Sequence, residues 1–288
     1  MYAVTGITGK VGGAVASALL DAGQSVRAVV RDEEKGKPWA AKGCAVAVAS
    51  VSHGDALTKA FSGMDGVFLM TPPDYDPEPG FPETRTNAAA IKAAIEAARP
   101  AKVVFLSTVG AQVLEPNLLN NLTMTETMLR TVSVPVALLR AGWFMENAAW
   151  DVEAARSGVI PSFLQPLDHT IPMVATADIG RTAAELLRDT WSGVRLVELE
   201  GPRRYSARDI GVAFAAALGR EVRMDPVPRQ TWEAFFRSQG TKHPMPRMRM
   251  VDGFNEGWID FEGGGEHRKG ATTLDAVIAG LVNKEVRR

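Results

Sequence analysis

The sequence predicts an α/β fold built on a doubly wound parallel sheet, with a smaller C-terminal α/β cap. Two observations predict it: short apolar runs rich in β-branched residues alternate with longer Ala- and Leu-rich stretches, and the first run leads straight into a glycine-rich turn. Several runs are apolar at consecutive positions, as expected of strands that are covered on both faces. The six predicted strands are Tyr2–Thr5, Ser25–Arg31, Ala45–Ala49, Gly66–Thr71, Val103–Ser107 and Val136–Arg140.

The stretches between these runs provide the crossovers that neighbouring parallel strands require. Their composition predicts helices at Lys10–Ala22, Asp55–Phe61, Pro82–Ala98 and Thr123–Thr131. Farther on, Arg195–Leu199 and Val222–Met224 are predicted strands, and the helix predicted between them, Ser206–Leu218, ends at the stop signal Gly219.

After residue 228 the amino-acid composition changes: methionine and aromatic residues are concentrated in a short segment that also contains several Gly and Pro residues. They include Trp232, Phe235, Phe236, Met245, Met248 and Met250. This segment predicts either a small packed cap or a pliant lid over a flat apolar substrate. Its basic residues are interpreted as a solvated rim; they are Arg237, Lys242, Arg247 and Arg249.

The composition is that of an ordinary globular protein, and it argues against several classes of function. Lys and Arg number 32 against 33 Asp and Glu, so the net charge of -1 gives no general attraction for nucleic acid or an anionic membrane. Cys44 is the only cysteine, and no His, Cys, Asp or Glu set has the spacing of a metal site. Without an export leader or a transmembrane run, we expect a cytoplasmic protein with no membrane, metal or nucleic-acid partner.

The most specific motif is the glycine-rich turn after the first strand, which spans Gly6–Gly12 and opens a predicted helix. Gly6 suits a tight turn, Gly9 lets the backbone approach a pyrophosphate, and Gly12 allows the helix to pack against the strand. The start of the helix adds free N–H groups and the positive end of its dipole. The pattern therefore predicts a Rossmann-type dinucleotide-binding site.

The end of the second strand indicates which dinucleotide is bound. An NAD site usually carries a carboxylate there, whereas Arg31 offers a guanidinium suited to the 2′-phosphate of NADP. Lys35 adds a second cation nearby, and Asp32 keeps NAD open as an alternative. We expect NADP as the cofactor.

Further segments, spread in order over nearly the whole chain, form a recognisable pattern. They are Thr5–Gly12, Val26–Asp32, Leu139–Asn147, Asp178–Gly180, Leu199–Pro202 and Ala271–Leu274. Together they resemble the NmrA-like group of atypical short-chain dehydrogenases/reductases. That family includes NADPH-dependent quinone reductases, isoflavone-reductase-like enzymes, ketoreductases of aromatic polyketides, and regulators that bind the dinucleotide without turnover. Such a resemblance carries over the fold more safely than the activity.

The resemblance implies roles for particular residues. Those expected to bind the pyrophosphate are Gly6, Thr8, Gly9, Lys10, Val11 and Gly12. Arg31 is expected at the adenosine ribose or its phosphate, Ser50 and Val51 at the adenine, and Thr71 and Pro72 beside the cofactor at the switch point of the sheet. Those expected to border the nicotinamide and the substrate are Gly142, Trp143, Phe144 and Asn147.

The usual catalytic pair of short-chain dehydrogenases, Tyr-x-x-x-Lys, is missing. The three tyrosines are Tyr2, Tyr75 and Tyr205, and none has a lysine four residues later. Ser107 and Thr108, at the end of the fifth predicted strand, are the catalytic candidates, as hydrogen-bond donors to the reacting oxygen with protons supplied by solvent. Capping of the strand end is the alternative role for both.

These observations lead to one preferred function and two alternatives. We expect an NADPH-dependent reductase of a ketone or quinone on an aromatic, polyketide-type small molecule. A non-catalytic NAD(P)-sensing regulator and a cofactor-independent oxygenase on the same scaffold are the alternatives, and a homodimer is left open. Residues 1–150 are expected to form the dinucleotide-binding core and residues 151–288 mainly a substrate-binding cap, with residues 175–200 returning to the core.

Overall fold

The computed structural model of the chain describes residues 1–285. Its strands are β1 (Tyr2–Val4), β2 (Val26–Val30), β3 (Ala45–Val48), β4 (Gly66–Leu69), β5 (Val103–Thr108), β6 (Val136–Ala141), β7 (Trp143–Phe144), β8 (Val159–Ser162), β9 (Thr170–Ile171), β10 (Met173–Val174), β11 (Val194–Glu200), β12 (Tyr205–Ser206), β13 (Arg223–Pro226) and β14 (Glu266–Lys269).

Its α-helices are α1 (Lys10–Asp21), α2 (Glu33–Ala40), α3 (Gly54–Phe61), α4 (Pro82–Ala98), α5 (Asn120–Leu129), α6 (Val152–Arg156), α7 (Thr176–Arg188), α8 (Ala207–Leu218), α9 (Trp232–Ser238), α10 (Pro244–Glu256) and α11 (Leu274–Glu285). Two 3-10 helices span Met145–Asp151 and Arg229–Thr231.

An eight-stranded sheet runs through the centre in the order β14-β11-β6-β5-β4-β1-β2-β3. All of its neighbouring strands are parallel. The chain runs outward from β1 to β3 and then returns to place β4 on the other side of β1. This reversal makes the position between β1 and β4 a switch point, where α/β sheets open a binding crevice. The predicted doubly wound α/β fold is confirmed.

Apolar residues cover both faces of this sheet. On one face, Val15 of α1 and Ile179 of α7 pack with strand residues such as Val4. On the other face, Phe61 of α3 and Ile91 of α4 pack against the opposite side of the strands. Burial on both faces explains why the strand runs are continuously apolar instead of alternating with polar residues.

The sheet has two more strands than the six predicted in the first half of the chain. β11 corresponds to the predicted strand at Arg195–Leu199, and β14 was not predicted. The sequence of β14, Glu266–Lys269, is entirely charged or polar, because the strand lies at the sheet edge and leaves part of each side chain in water. Six helices were also not predicted: α2, α6, α7, α9, α10 and α11.

The remaining strands form small two-stranded sheets beside the core: β13 with β8, β12 with β9, and β10 with β7. The segment rich in Met and aromatic residues folds as α9 and α10. Trp232, Phe236, Met248 and Val251 form its buried cluster. Within residues 1–285, no helix is both long and apolar enough to cross a membrane.

Candidate functional site

The turn between β1 and α1, here called the glycine loop (Gly6–Gly12), has the backbone geometry that the sequence predicts. Gly6 has a φ of 61°, and a Cβ there would lie 2.4 Å from the Met70 sulfur. The Gly9 N–H donates to the Gly6 carbonyl at 2.9 Å. A Cβ on Gly12 would lie 2.3 Å from the same carbonyl oxygen. Glycine is therefore required at both ends of this loop by close packing.

The beginning of α1 faces outward with its hydrogen-bond donors unsatisfied. Its N-cap is Gly9, and no side chain from the described part of the chain caps the helix. The first N–H groups of a helix have no acceptor within it and carry the positive end of its dipole. They form a binding position for an anionic group such as a pyrophosphate.

A cavity of about 200 Å³, here called the glycine cleft, opens in front of this loop. The cleft lies at the switch point, because its walls come from the segments that follow β1, β2 and β4. The walls include Thr5, Gly6, Thr8, Gly9, Val29, Val30, Arg31, Ala49, Val51, Met70, Thr71 and Pro72. A nucleotide entering here would meet the glycine loop, an apolar wall and the Arg31 guanidinium.

The polar groups at the end of β2 differ in their availability. Arg31 is exposed and has no hydrogen bond or ion pair to any residue that the structure describes. Asp32 instead accepts a hydrogen bond from the Glu34 N–H at 2.9 Å and caps α2. Because the carboxylate already has a partner and the guanidinium does not, the geometry favours a phosphate over two ribose hydroxyls at this position.

Several other residues expected at the cofactor are placed less directly. The Lys10 ammonium donates to the Glu146 carbonyl at 3.3 Å. The Val11 side chain is buried in the core, so only its backbone is available to a ligand. The Ser50 hydroxyl lies 3.1 Å from that of Ser52. A Cβ on Gly142 would lie 2.7 Å from the Pro172 carbonyl oxygen, so this glycine serves close packing of the chain.

Ser107, a catalytic candidate, is 2% exposed, and its hydroxyl donates to Glu126 Oε1 at 2.5 Å. The hydroxyl therefore points toward a buried carboxylate on α5 and does not line the cavities described here. Thr108 is half-buried, and its hydroxyl bonds the Val109 carbonyl at 3.0 Å. The catalytic assignment of both residues remains a prediction.

Glu126 belongs to a buried network that sequence reasoning missed. Arg140 of β6 donates to both of its carboxylate oxygens, at 2.9 Å and 2.8 Å. The same guanidinium donates to Gln112 at 3.1 Å and to Glu262 at 2.7 Å. These charge-assisted bonds tie β5, α5 and β6 to the segment that precedes β14. These residues are far apart in the sequence, so the network becomes visible only in the folded structure.

A second cavity of about 220 Å³, here called the aromatic cavity, lies between the end of the sheet and the cap. Its walls include Tyr75, Trp143, Asn147, Trp150, Asp151, Phe163, Met224, Phe236, Arg247 and Met250. Trp143 and Asn147, both expected at the substrate, do line it. Phe144 does not line it, because its ring packs against the core beneath the sheet.

Of two charged residues in this cavity, Asp151 was not identified from the sequence, and Arg247 was interpreted as part of a solvated rim. Asp151 ends the 3-10 helix Met145–Asp151, and burial raises the pKa of its carboxyl to about 6. Arg247 of α10 lies over the Tyr75 and Phe236 rings, with its guanidinium carbon 5.8 Å and 4.7 Å from their centroids. Burial also lowers the pKa of Arg247. Arg247 is therefore part of the cavity wall and not of a solvated rim.

A third cavity of about 340 Å³ lies between the glycine cleft and the aromatic cavity. It shares Thr71 and Pro72 with the glycine cleft and Tyr75 with the aromatic cavity. The contact between Lys10 and Glu146 brings the start of α1 against the 3-10 helix that carries Asn147 and Asp151. The shared wall residues and this contact therefore place the glycine loop and the aromatic cavity next to each other in the structure.

A doubly wound sheet with a glycine loop at its switch point defines a Rossmann-type nucleotide-binding protein. Residues 2–261 match the model of the NmrA-like family. The chain belongs to the NmrA-like family, which confirms the resemblance seen in the sequence.

Characterised relatives and a solved structure agree with this assignment. The chain is 30% identical over 232 residues to (4-alkanoyl-5-oxo-2,5-dihydrofuran-3-yl)methyl phosphate reductase of Streptomyces griseus, covering 78% of this chain and 76% of that protein. It is 26% identical over 246 residues to Quinone oxidoreductase 2 of Escherichia coli, covering 83% and 82%. The structure of Citrobacter sp. triphenylmethane reductase with NADP(H) superposes with a TM-score of 0.81 at 20% identity, over 98% of this chain and 100% of that one.

Proposed function

We propose that this protein is an NADPH-dependent reductase of a ketone or quinone on an aromatic, polyketide-type small molecule. Its relatives include reductases whose names specify a quinone or an alkanoyl furanone phosphate, and one related structure holds NADP(H). The observation that carries the proposal is the position of the aromatic cavity next to the glycine cleft, since the third cavity shares wall residues with both.

The residues of the glycine cleft fit an NADP dinucleotide. The uncapped first turn of α1 would hold the pyrophosphate, and the unpaired Arg31 guanidinium would hold the 2′-phosphate. When bound, NADPH supplies a hydride. Thr71 and Pro72 would lie along the path toward the aromatic cavity, where the reacting carbonyl is held.

The aromatic cavity fits a planar apolar substrate. Trp143 packs edge-on against Phe254, with ring centroids 5.2 Å apart, so this wall is held in place from behind. Flexible thioethers from Met224 and Met250 line the same cavity and can adapt to an irregular ring system. Holding the reacting carbon in one orientation provides much of the rate enhancement in such a site.

The proposal is tested by following NADPH consumption by the purified protein with menadione, a naphthoquinone, and with emodin, a hydroxyanthraquinone. We expect saturable oxidation of NADPH that needs both protein and acceptor, with NADH a poorer donor. NADPH binding without oxidation by either acceptor would replace the reductase with the sensing regulator. Conversion of the acceptor without any dinucleotide would replace it with the cofactor-independent enzyme.

A further inference from the structure

We propose that Asp151 is a catalytic residue that donates the proton to the substrate oxygen during reduction. This inference rests on the proposed function, and it provides the acid that the missing Tyr-x-x-x-Lys pair leaves unassigned. Three observations support this role: the carboxyl lies in the aromatic cavity, it has no bonding partner among the described residues, and no neighbouring charge neutralises it.

The position of Asp151 places it beside the expected substrate. It lines the aromatic cavity with Trp143 and Asn147 and lies four residues beyond Asn147 on the same 3-10 helix. It is the only carboxyl among the described residues that line this cavity. The start of the same 3-10 helix contacts Lys10 of the glycine loop. The 3-10 helix that carries Asp151 therefore connects the start of α1 with the aromatic cavity.

The Asp151 carboxyl has no hydrogen bond or ion pair to any residue in the range 1–285. Two other acidic residues near the site, Glu146 and Asp252, are bonded. Glu146 accepts from the Thr176 N–H at 2.9 Å and from its hydroxyl at 2.6 Å. Asp252 of α10 accepts from Arg229 at 2.5 Å and 2.8 Å. Because Asp151 is the only carboxyl of the described aromatic cavity wall and has no donor there, it is available to a substrate in that cavity.

The charged groups around Asp151 do not neutralise it. Tyr75 and Arg247 are the other titratable side chains of the cavity wall, and neither forms an ion pair with Asp151. On α6, which packs against the 3-10 helix, Glu153 pairs with Arg156 at 3.3 Å. On α11, which also packs there, Asp275 is exposed.

Burial is thus the cause of the raised pKa of Asp151, which is about 6. A carboxyl with this pKa keeps its proton in part of the molecules at neutral pH and can transfer it to a stronger base. Closure over a substrate would raise the protonated fraction further, because it removes water from the charged form.

The proposed step is balanced as follows. Bound NADPH would supply a hydride to the carbonyl carbon, and the electron pair of the C=O π bond would then move to the oxygen. The O–H bond of the Asp151 carboxyl breaks and a new O–H bond forms on the substrate. The resulting carboxylate then takes a proton from water. The substrate gains two electrons and two hydrogens in total, and the dinucleotide is oxidised.

The test compares Asp151→Asn with a matched control, Asp168→Asn, whose carboxyl is exposed and does not line the aromatic cavity. We expect Asp151→Asn to lower kcat for emodin about 100-fold, with the affinity for NADPH unchanged. The loss for menadione should be smaller, because a delocalised quinone oxyanion needs the proton less. Wild-type kcat/KM should fall as the pH rises through about 6, and this dependence should be absent in Asp151→Asn. The control variant should behave as wild type.

A second readout does not depend on activity. Carbon-13 NMR of the wild-type protein labelled at aspartate should show the Asp151 carboxyl titrating with a midpoint near 6. A titration at the ordinary value for aspartate would overturn the proposal, as would an Asp151→Asn variant whose kcat stays within about twofold of wild type. If the wild type itself reduces neither acceptor, the proposed function fails. If wild type and Asp151→Asn reduce both acceptors equally, only the role of Asp151 fails.

Discussion

In the glycine loop, the residues that act together are neighbours in the sequence, whereas the aromatic cavity gathers residues from Tyr75 to Val251. The loop is shaped by backbone geometry, which Gly6 and Gly12 dictate directly. The cavity is shaped by packing between the sheet, a 3-10 helix and the cap. Binding of the dinucleotide therefore depends on residues that are close together in the sequence, whereas the choice of substrate depends on tertiary contacts.

The largest expected effect comes from the buried network that connects the sheet to the segment before β14. Glu126→Gln leaves the Arg140 guanidinium without its main partner, so we expect the free energy of unfolding to drop by about 4 kcal/mol. Urea denaturation measures this change. The exposed pair of Glu153 with Arg156 provides a control, since Glu153→Gln should cost less than about 1 kcal/mol.

This variant also sharpens the comparison between the two regions. In this network Arg140 bonds Glu262, and Gln112 donates to the Asp260 carbonyl at 2.8 Å. The network therefore supports the cap side of the molecule more than the glycine loop. At a temperature where Glu126→Gln is folded, KM for the acceptor should rise while the affinity for NADPH stays near that of wild type. If Glu126→Gln weakened NADPH binding as much as it raised KM for the acceptor, the two regions would not be independent, and the prediction would be wrong.

The next effect is confined to the glycine loop. Gly12→Ala places a methyl group 2.3 Å from the Gly6 carbonyl oxygen, a backbone atom that cannot move without opening the loop. We expect the free energy of NADPH binding to weaken by about 3 kcal/mol, which is roughly a 100-fold weaker affinity in calorimetry. Gly280→Ala is the matched control: this helical glycine has open space around its Cβ position and should bind NADPH as wild type does.

The fold was predicted more fully than the site, for physical reasons. Glycine spacing and continuous apolar strands reflect local backbone and burial rules, so the loop and the parallel sheet could be predicted. Asp151 and Glu126 look like ordinary helical acids in the sequence, and only long-range packing shows one facing a cavity and the other buried beside Arg140. The charged strand β14 has no apolar signal because it lies at the sheet edge.

A smaller effect concerns the pH dependence of stability at the aromatic cavity. The pKa of Asp151 is raised from 3.8 to about 6 in the folded protein, so the folded state binds more protons than the unfolded state between these values. Its contribution to stability is present at low pH and is lost as the pH rises through about 6. We expect a loss of about 2 kcal/mol between pH values of roughly 4 and 7. The loss should be absent in Asp151→Asn, and identical pH profiles of urea denaturation would contradict this prediction.

The smallest expected effect is on the preference between dinucleotides. Arg31→Ala removes the exposed guanidinium at the end of β2, so the affinity for NADPH should fall about tenfold, or about 1.4 kcal/mol, with little change for NADH. Lys37→Ala is the control, because this exposed cation of α2 is already paired with Glu34 at 2.7 Å. Equal losses for both dinucleotides would remove the argument for the 2′-phosphate.

The most direct test of the whole account is a calorimetric titration of the folded wild-type protein with NADPH. We expect saturable heat of binding with one NADPH per chain and less heat with NADH. A correctly folded protein that gives no binding heat with either dinucleotide, at several temperatures, would contradict it.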